Sequence, residues 1–496
     1  MAGPQLPSLI FRVVLVVAVV CIVPAVAWAK AAEGWSQHQG GPARTGALTS
    51  GPAPAFRIAW QVAVDIGPLS EGFGLPTPVV AGDAVIVVGR EEVVAVAVAD
   101  GSERWRVPRA SGPTVPPAVA VLPDGTSVVI ASEGGGSGAL ASPTAPSATP
   151  SPSAPVSPVG EGPEAATATS VVALDAATGE RVWSTPLGDV SRTGVTLTDD
   201  LAIVGADDGS VTALDPATGA KRWSVAVGGA VQLPIAATPD LVVVPVRPPD
   251  DPASGGGAAL VAMATGDGAV RWRYLPELPQ AEVLSPAIDV AAGVIYVALG
   301  DRTVVAIAAS DGAERWSART NQLGGLSSVI AGDLVLNVDQ RGQVYAFDAL
   351  SGTRRWDHAL NAQILAPPVV VGDVLIVAGD QGGVDALELA SGDVVFHTAV
   401  ADGSGLAMSA TDELLFISQA GSPGGLVALE HDPQGSLVRL RSPTILQPLT
   451  MAGSWLVAAI AIAAASLAFG RWAWPRLGEP SFPGDDMANA VEDPDA

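Results

Sequence analysis

Thiol chemistry is excluded from almost the whole chain by one count: its 496 residues hold a single cysteine, Cys21, set in an apolar leader. Beyond that leader the chain has no disulfide, no thiolate-bound metal and no cysteine nucleophile. Lysine is nearly missing too, with only Lys30 and Lys221, and acidic residues outnumber basic ones 50 to 25. Between Lys30 and Gly470 the count is 44 acidic against 22 basic, a surface that repels nucleic acid and anionic lipid headgroups. Histidine is limited to His38, His358, His397 and His431, with no HExxH and no i,i+4 pair, so no metal site is expected. There is no G-x-S-x-G and no phosphate-binding loop. The acidic pairs Asp207-Asp208 and Asp250-Asp251 fall in turn sequences, where Asp is favoured because its side chain bonds the nearby backbone. No catalytic residue emerges from this inventory.

What the chain has in plenty is glycine (56), proline (42) and short Val/Ala-rich runs, the composition of many brief strands joined by turns. One stretch recurs eight times. VVALDAATGERVW (Val171 to Trp183) has counterparts starting at Val93, Val211, Leu260, Val304, Val344, Val384 and, worn, Leu426. The ninth position is Gly in seven copies (Gly101, Gly179, Gly219, Gly268, Gly312, Gly352, Gly392), and Gly435 comes one place late in the eighth. Each copy reads as strand, tight turn, strand, the Gly allowing a positive φ. A period near forty residues, four strands long, predicts a radial array of small sheets.

Before each copy lies a candidate first turn: Gly82-Asp83, Asp124-Gly125, Asp199-Asp200, Pro239-Asp240, Ala292-Gly293, Gly332-Asp333, Gly372-Asp373 and Asp412-Glu413. Residues 56–60, FRIAW, form a Trp-ending strand with no repeat ahead of it. This strand is expected to pair with the final unit and close the ring, because an open array leaves its edges unpaired. The recurrent Trp60, Trp105, Trp183, Trp223, Trp272, Trp316 and Trp356, with Phe396 in the same role, are expected to wedge between neighbouring units. Arg104, Arg222, Arg271, Arg315 and Arg355 precede five of them and read as solvated charges on outer strands.

Residues 1–29 carry Arg12, an apolar run and Ala27-Trp28-Ala29, a secretory signal peptide with an A-x-A exit. Residues 132–169 form a Ser/Pro/Ala-rich loop insertion that is expected to be disordered, with shorter insertions at 247–259 and 419–424. In an antiparallel meander alternate loops emerge on opposite faces, so all three insertions belong to one face and the tight Gly turns to the other. Residues 449–470 are uncharged and, at 1.5 Å per residue, long enough for a membrane-spanning helix; 471–496 would be a short acidic cytoplasmic tail.

The segment WSQHQGGPARTG (Trp35 to Gly46), together with the A-x-D-x-x-T-G-x-x-x-W repeats, resembles the pyrroloquinoline-quinone-like (PQQ-like) β-propeller repeat family over about residues 35–440. That family includes quinoprotein alcohol dehydrogenases and BamB-like envelope scaffolds. The resemblance implies an all-β, eight-bladed β-propeller of four-stranded antiparallel blades over residues 30–440. The dehydrogenases hold their quinone over a calcium ion and stack it on a vicinal cysteine pair, which this chain lacks, so no PQQ and no other cofactor is expected. The BamB-like members imply a non-catalytic scaffold that binds a protein or glycan of the bacterial cell envelope; the alternatives are a quinoprotein-type dehydrogenase and an extracytoplasmic sensor of a small ligand or sugar. Here it would be a monomeric propeller outside the cytoplasm, tethered to the cell membrane by a single pass. The connections leading into each blade carry Arg109, Arg192, Gln232, Glu282, Gln322 and Gln363. Of these, Arg192, Gln232, Glu282 and Gln363 are the candidate ligand- or partner-binding residues, each placed two to four residues before an inner strand.

Overall fold

The computed structural model describes residues 30–31, 35–66, 76–135, 169–247, 257–279, 281–321, 327–400, 404–420 and 424–435. The leader, the bulk of the long insertion, Gln322 and everything after residue 435 lie outside these, including the expected span at 449–470. Among the described residues no helix is long and apolar enough to cross a membrane.

Eight antiparallel sheets succeed one another along the chain, each a four-stranded meander. We number the blades from the one whose strands are Val79–Ala81, Ala84–Val88, Glu92–Ala97 and Glu103–Pro108, and count each blade's strands from first to fourth outward from the axis. Every anticipated first turn lies between the first and second strands of its blade. Blade 8 is composite. Its outer strand is Phe56–Ala63, which pairs antiparallel with Gly425–His431, so the start of the chain completes the last sheet as expected.

The repeat's small and large residues now have a shared explanation. The third residue of each copy is Ala, and it stands opposite the aromatic residue of the outer strand: Ala95 with Trp105, Ala173 with Trp183, Ala346 with Trp356, Ala386 with Phe396. A bulge follows at that point in each pair and tilts the aromatic ring toward the next blade. There the indole N–H donates to a turn carbonyl at 2.8–2.9 Å, as Trp105 does to Ala176 and Trp356 to Leu389. The ring also lies on that blade's glycine. A β-carbon on Gly101, Gly179, Gly219, Gly268, Gly312, Gly352 or Gly392 would come within 2.4–2.9 Å of the preceding blade's Trp. These glycines also have positive φ, so backbone conformation and close approach exclude a side chain together. Trp60 docks on blade 1 through Val98 and Gly101, which closes the ring. Between blades 7 and 8, where the repeat is worn, Phe396 instead meets Phe56 edge-on at 5.6 Å.

The axis is filled by the segment 35–48. It visits the innermost strands in blade order, its carbonyls accepting from their axis-facing N–H groups. Trp35 accepts from Val80 of blade 1 and Ser36 from Val119 of blade 2. Gln37 spans the gap at blade 3, its carboxamide bonded to both N and O of Leu197. Pro42, Ala43, Thr45 and Gly46 then accept from Ala237, Ile288, Ile330 and Val370 of blades 4 to 7. Ala47–Leu48 continues as a short parallel strand beside blade 7, and the Ser50 hydroxyl donates to Asp412 of blade 8. Inner strands would otherwise turn a ring of unpaired N–H groups toward the axis. Lys30–Ala31 adds a further short strand to the axial edge of blade 2.

At the ends of the low-complexity segment, Ser132, Glu133 and Thr169 are buried, and the strand Ser127–Glu133 pairs with Ser170–Asp175. The three insertions all leave between the second and third strands of their blades, so they share one face, here termed the loop face.

Candidate functional site

The four candidate residues are on the loop face, four to six residues ahead of their inner strands. Three of them belong to one surface over blades 3 to 5. The Arg192 Nε donates to Asp207 at 2.9 Å, and the other oxygen of that carboxylate accepts from Gln232 Nε2 at 3.1 Å. Arg247 continues the row by donating to Gln232 Oε1 at 2.9 Å. The row therefore alternates donor and acceptor from blade 3 to blade 4, half-buried at Arg192 and exposed at Arg247.

A shallow cleft adjoins it, lined by Gln232, Leu233, Pro245, Arg247, Glu282 and Val283, with room for about one water at its base. Glu282 forms the far wall. Its main chain is fixed by Gly300, whose N–H donates to the Glu282 carbonyl, while its carboxylate is exposed and makes no hydrogen bond or ion pair among the described residues. Gln363 is not part of this surface. It belongs to the connection into blade 7, held by main-chain bonds with Asp380, and its side chain is exposed.

Arg109 is structural. The residue is 8% exposed, and its guanidinium donates to the carbonyls of Gly89, Pro113 and Ser132, tying blades 1 and 2 together. Burial lowers its pKa to about 10, partly offset by Glu133. Sequence reasoning missed Asp207 and Arg247. Asp208 does bond its local backbone, through Ser210, but Asp207 turns away to join Arg192 and Gln232. Its place beside a turn aspartate hid that difference. Arg247 was legible only as the first residue of an insertion.

The five arginines ahead of the Trp residues are exposed, as expected, and three find turn carboxylates: Arg104 with Asp83, Arg222 with Asp215, and Arg355 with Asp348 and Asp333. Asp348 is held well below the usual carboxylate range by Arg355 and by Ser351. On the axis, Arg44 is 1% exposed and donates to the carbonyls of Ile235 and His38 and to the Thr196 hydroxyl. Burial brings its pKa down to about 9. His38, joined to Thr77 at 2.6 Å, is driven well below its ordinary value by burial and by the nearby Arg44. Among the described residues no group of three His, Cys, Asp or Glu side chains is placed to share a metal ion.

No curated protein matches the sequence. Among solved structures, BamB from Moraxella catarrhalis is 17% identical with a TM-score of 0.56, over 77% of this chain and 99% of that one. The quinohemoprotein alcohol dehydrogenase of Comamonas testosteroni is 13% identical, with a TM-score of 0.60 over 82% of each chain. The ADHIIG quinohemoprotein alcohol dehydrogenase of Pseudomonas putida HK5 is 12% identical, with a TM-score of 0.58 over 82% of this chain and 81% of that one. At these identities the likeness is one of fold. A family model described as outer membrane protein assembly factor BamB matches residues 167–329 and 300–441, more than half of the sequence. With the repeats, the eight blades and this match agreeing, the chain belongs to the PQQ-like β-propeller repeat family.

Proposed function

We propose that the chain is a non-catalytic scaffold of a bacterial cell envelope, a propeller outside the cytoplasm, tethered through residues 449–470, that presents its loop face to a protein partner. The observation that carries this reading is the surface over blades 3 to 5. There a hydrogen-bonded row, Arg192–Asp207–Gln232–Arg247, fixes the direction of polar groups beside the exposed carboxylate of Glu282. Leu275 and Leu278, 66% and 58% exposed, lie on the same connection from blade 4 to blade 5 as Glu282 and add apolar surface to it. Fixed polar groups flanked by exposed apolar side chains suit a macromolecular surface. The family description, a protein assembly factor, favours protein over glycan as the partner.

Photo-crosslinking in the native cell tests this reading, with the crosslinker at Gln232 or Glu282 and, as control, at Leu350, which is 87% exposed on the tight-turn face. The expected result is a discrete protein adduct from the two loop-face positions and none from Leu350. Equal adducts from all three positions would overturn it. So would a quinone absorbance in the purified protein accompanied by dye-linked alcohol oxidation.

A further inference from the structure

Blade 6 breaks a rule that the other seven blades keep. In each blade one residue of the second strand stands opposite the second position of the repeat. That residue is apolar in seven: Val87, Ala131, Val204, Val244, Val297, Val377 and Ile417. In blade 6 it is Asn337, opposite Tyr345, and its partner on the inner strand is Ser328. Both are fully buried, at 0% exposure. The axial segment reaches the same place. Gln39, 2% exposed, donates from Nε2 to the Ser328 carbonyl at 3.5 Å.

Four polar atoms of these three adjacent residues have no hydrogen-bond partner within the described protein: Asn337 Nδ2 and Oδ1, Ser328 Oγ and Gln39 Oε1. A buried polar group left unmet loses its hydration with nothing in return, and native interiors seldom leave one so. A position that is apolar in every other blade has no packing reason to carry that cost. The chemistry of the set identifies what would meet it. Asn337 supplies a donor and an acceptor, Ser328 a hydroxyl that does either, and Gln39 an acceptor, and none of the three carries charge. The complement is a small neutral molecule that donates and accepts, with about three hydrogen bonds to make.

We infer that blade 6 and the axial segment share a built site for internal water, with Asn337, Ser328 and Gln39 as its walls. The site joins the segment to the ring in addition to the direct bond from Ile330 to Thr45. Two other unpaired buried atoms on the same segment, Trp35 Nε1 and His38 Nε2, show that its polarity is not confined to one contact.

The test is a crystal structure of the full-length protein at a resolution that shows ordered solvent, paired with the Asn337→Val variant that copies the other blades. The expected result is water within about 2.7–3.2 Å of Asn337 and of Ser328 or Gln39, absent from the variant. A direct bond between the Asn337 and Gln39 carboxamides, with no water, would overturn the site. In solution, relaxation dispersion of water should count at least one fewer long-lived water in N337V than in the parent, and equal counts would also overturn it. Should N337V fail to fold, Ser328→Ala replaces it, and the wild-type density decides by itself.

Discussion

Arginine is used in opposite ways at the rim and on the axis of this ring. At the rim, Arg222 and Arg355 lie on turn carboxylates with their side chains 43% and 48% exposed. On the axis, Arg44 is buried and meets two carbonyls and a hydroxyl, with no carboxylate among its partners in the described residues. Coulomb attraction in water is weak and offset by side-chain ordering, so rim pairs add little. A buried cation, by contrast, depends on every bond that replaces its hydration. Rim polarity therefore keeps the sheet edges apart, and axial polarity decides whether the segment 35–48 stays in place.

The largest expected effect breaks the axial side of that contrast. Arg44→Ala strands the His38 carbonyl, leaves the Ile235 carbonyl with the Thr196 hydroxyl alone and opens a cavity, and should lower unfolding free energy by about 3 kcal/mol or more. An unchanged urea midpoint would show that the segment contributes nothing. Next comes the blade junction: Gly352→Ala forces a β-carbon to 2.6 Å from Trp316 at a φ of 69°, for a loss of about 2–3 kcal/mol. Gly82→Ala is the control, because its φ is 61° but nothing lies within 4 Å of the new atom. It should cost about 1–2 kcal/mol, from backbone conformation alone. Equal losses in the two variants would remove the contact from the explanation.

Acid should act through the axis. His38 is buried and neutral, with a folded pKa far below that of the unfolded chain, so below about pH 6.5 the unfolded state takes up a proton that the folded state refuses. Its contribution is present in full above that pH and falls by up to about 1.4 kcal/mol per pH unit below it. Chemical unfolding of wild type and His38→Gln between pH 7 and pH 5 measures the slope, which should be shallower in the variant. The smallest effect belongs to the rim: Arg222→Ala should move stability by about 0.5 kcal/mol or less, and high salt should erase the difference.

How much of this was legible depends on how local each problem is. The repeat's Gly and Trp recur because every blade solves the same turn and the same docking, so periodicity reveals them even in one sequence. The closing strand 56–63 was legible from its unmatched Trp60. Gln37, Gln39 and Arg44 were not, because their partners lie 160, 289 and 191 residues away, and no period connects them. The same holds for the loop face. Arg192, Gln232 and Glu282 were found from their place ahead of inner strands, yet the carboxylate that joins two of them, Asp207, looked like any turn aspartate.

The sequence by itself determined the number of blades, the strand and turn pattern within each, and the wedge of Trp on Gly between them, since these arise from short-range sterics repeated eight times. Only the closed ring decided that a non-repeating stretch of fourteen residues would fill the axis, that Asn337 would be fully buried beside it, and that three connections would form one surface. Those outcomes depend on which inner strands face the axis once the last blade has paired with the first strand of the ring, a condition that no local stretch of chain contains.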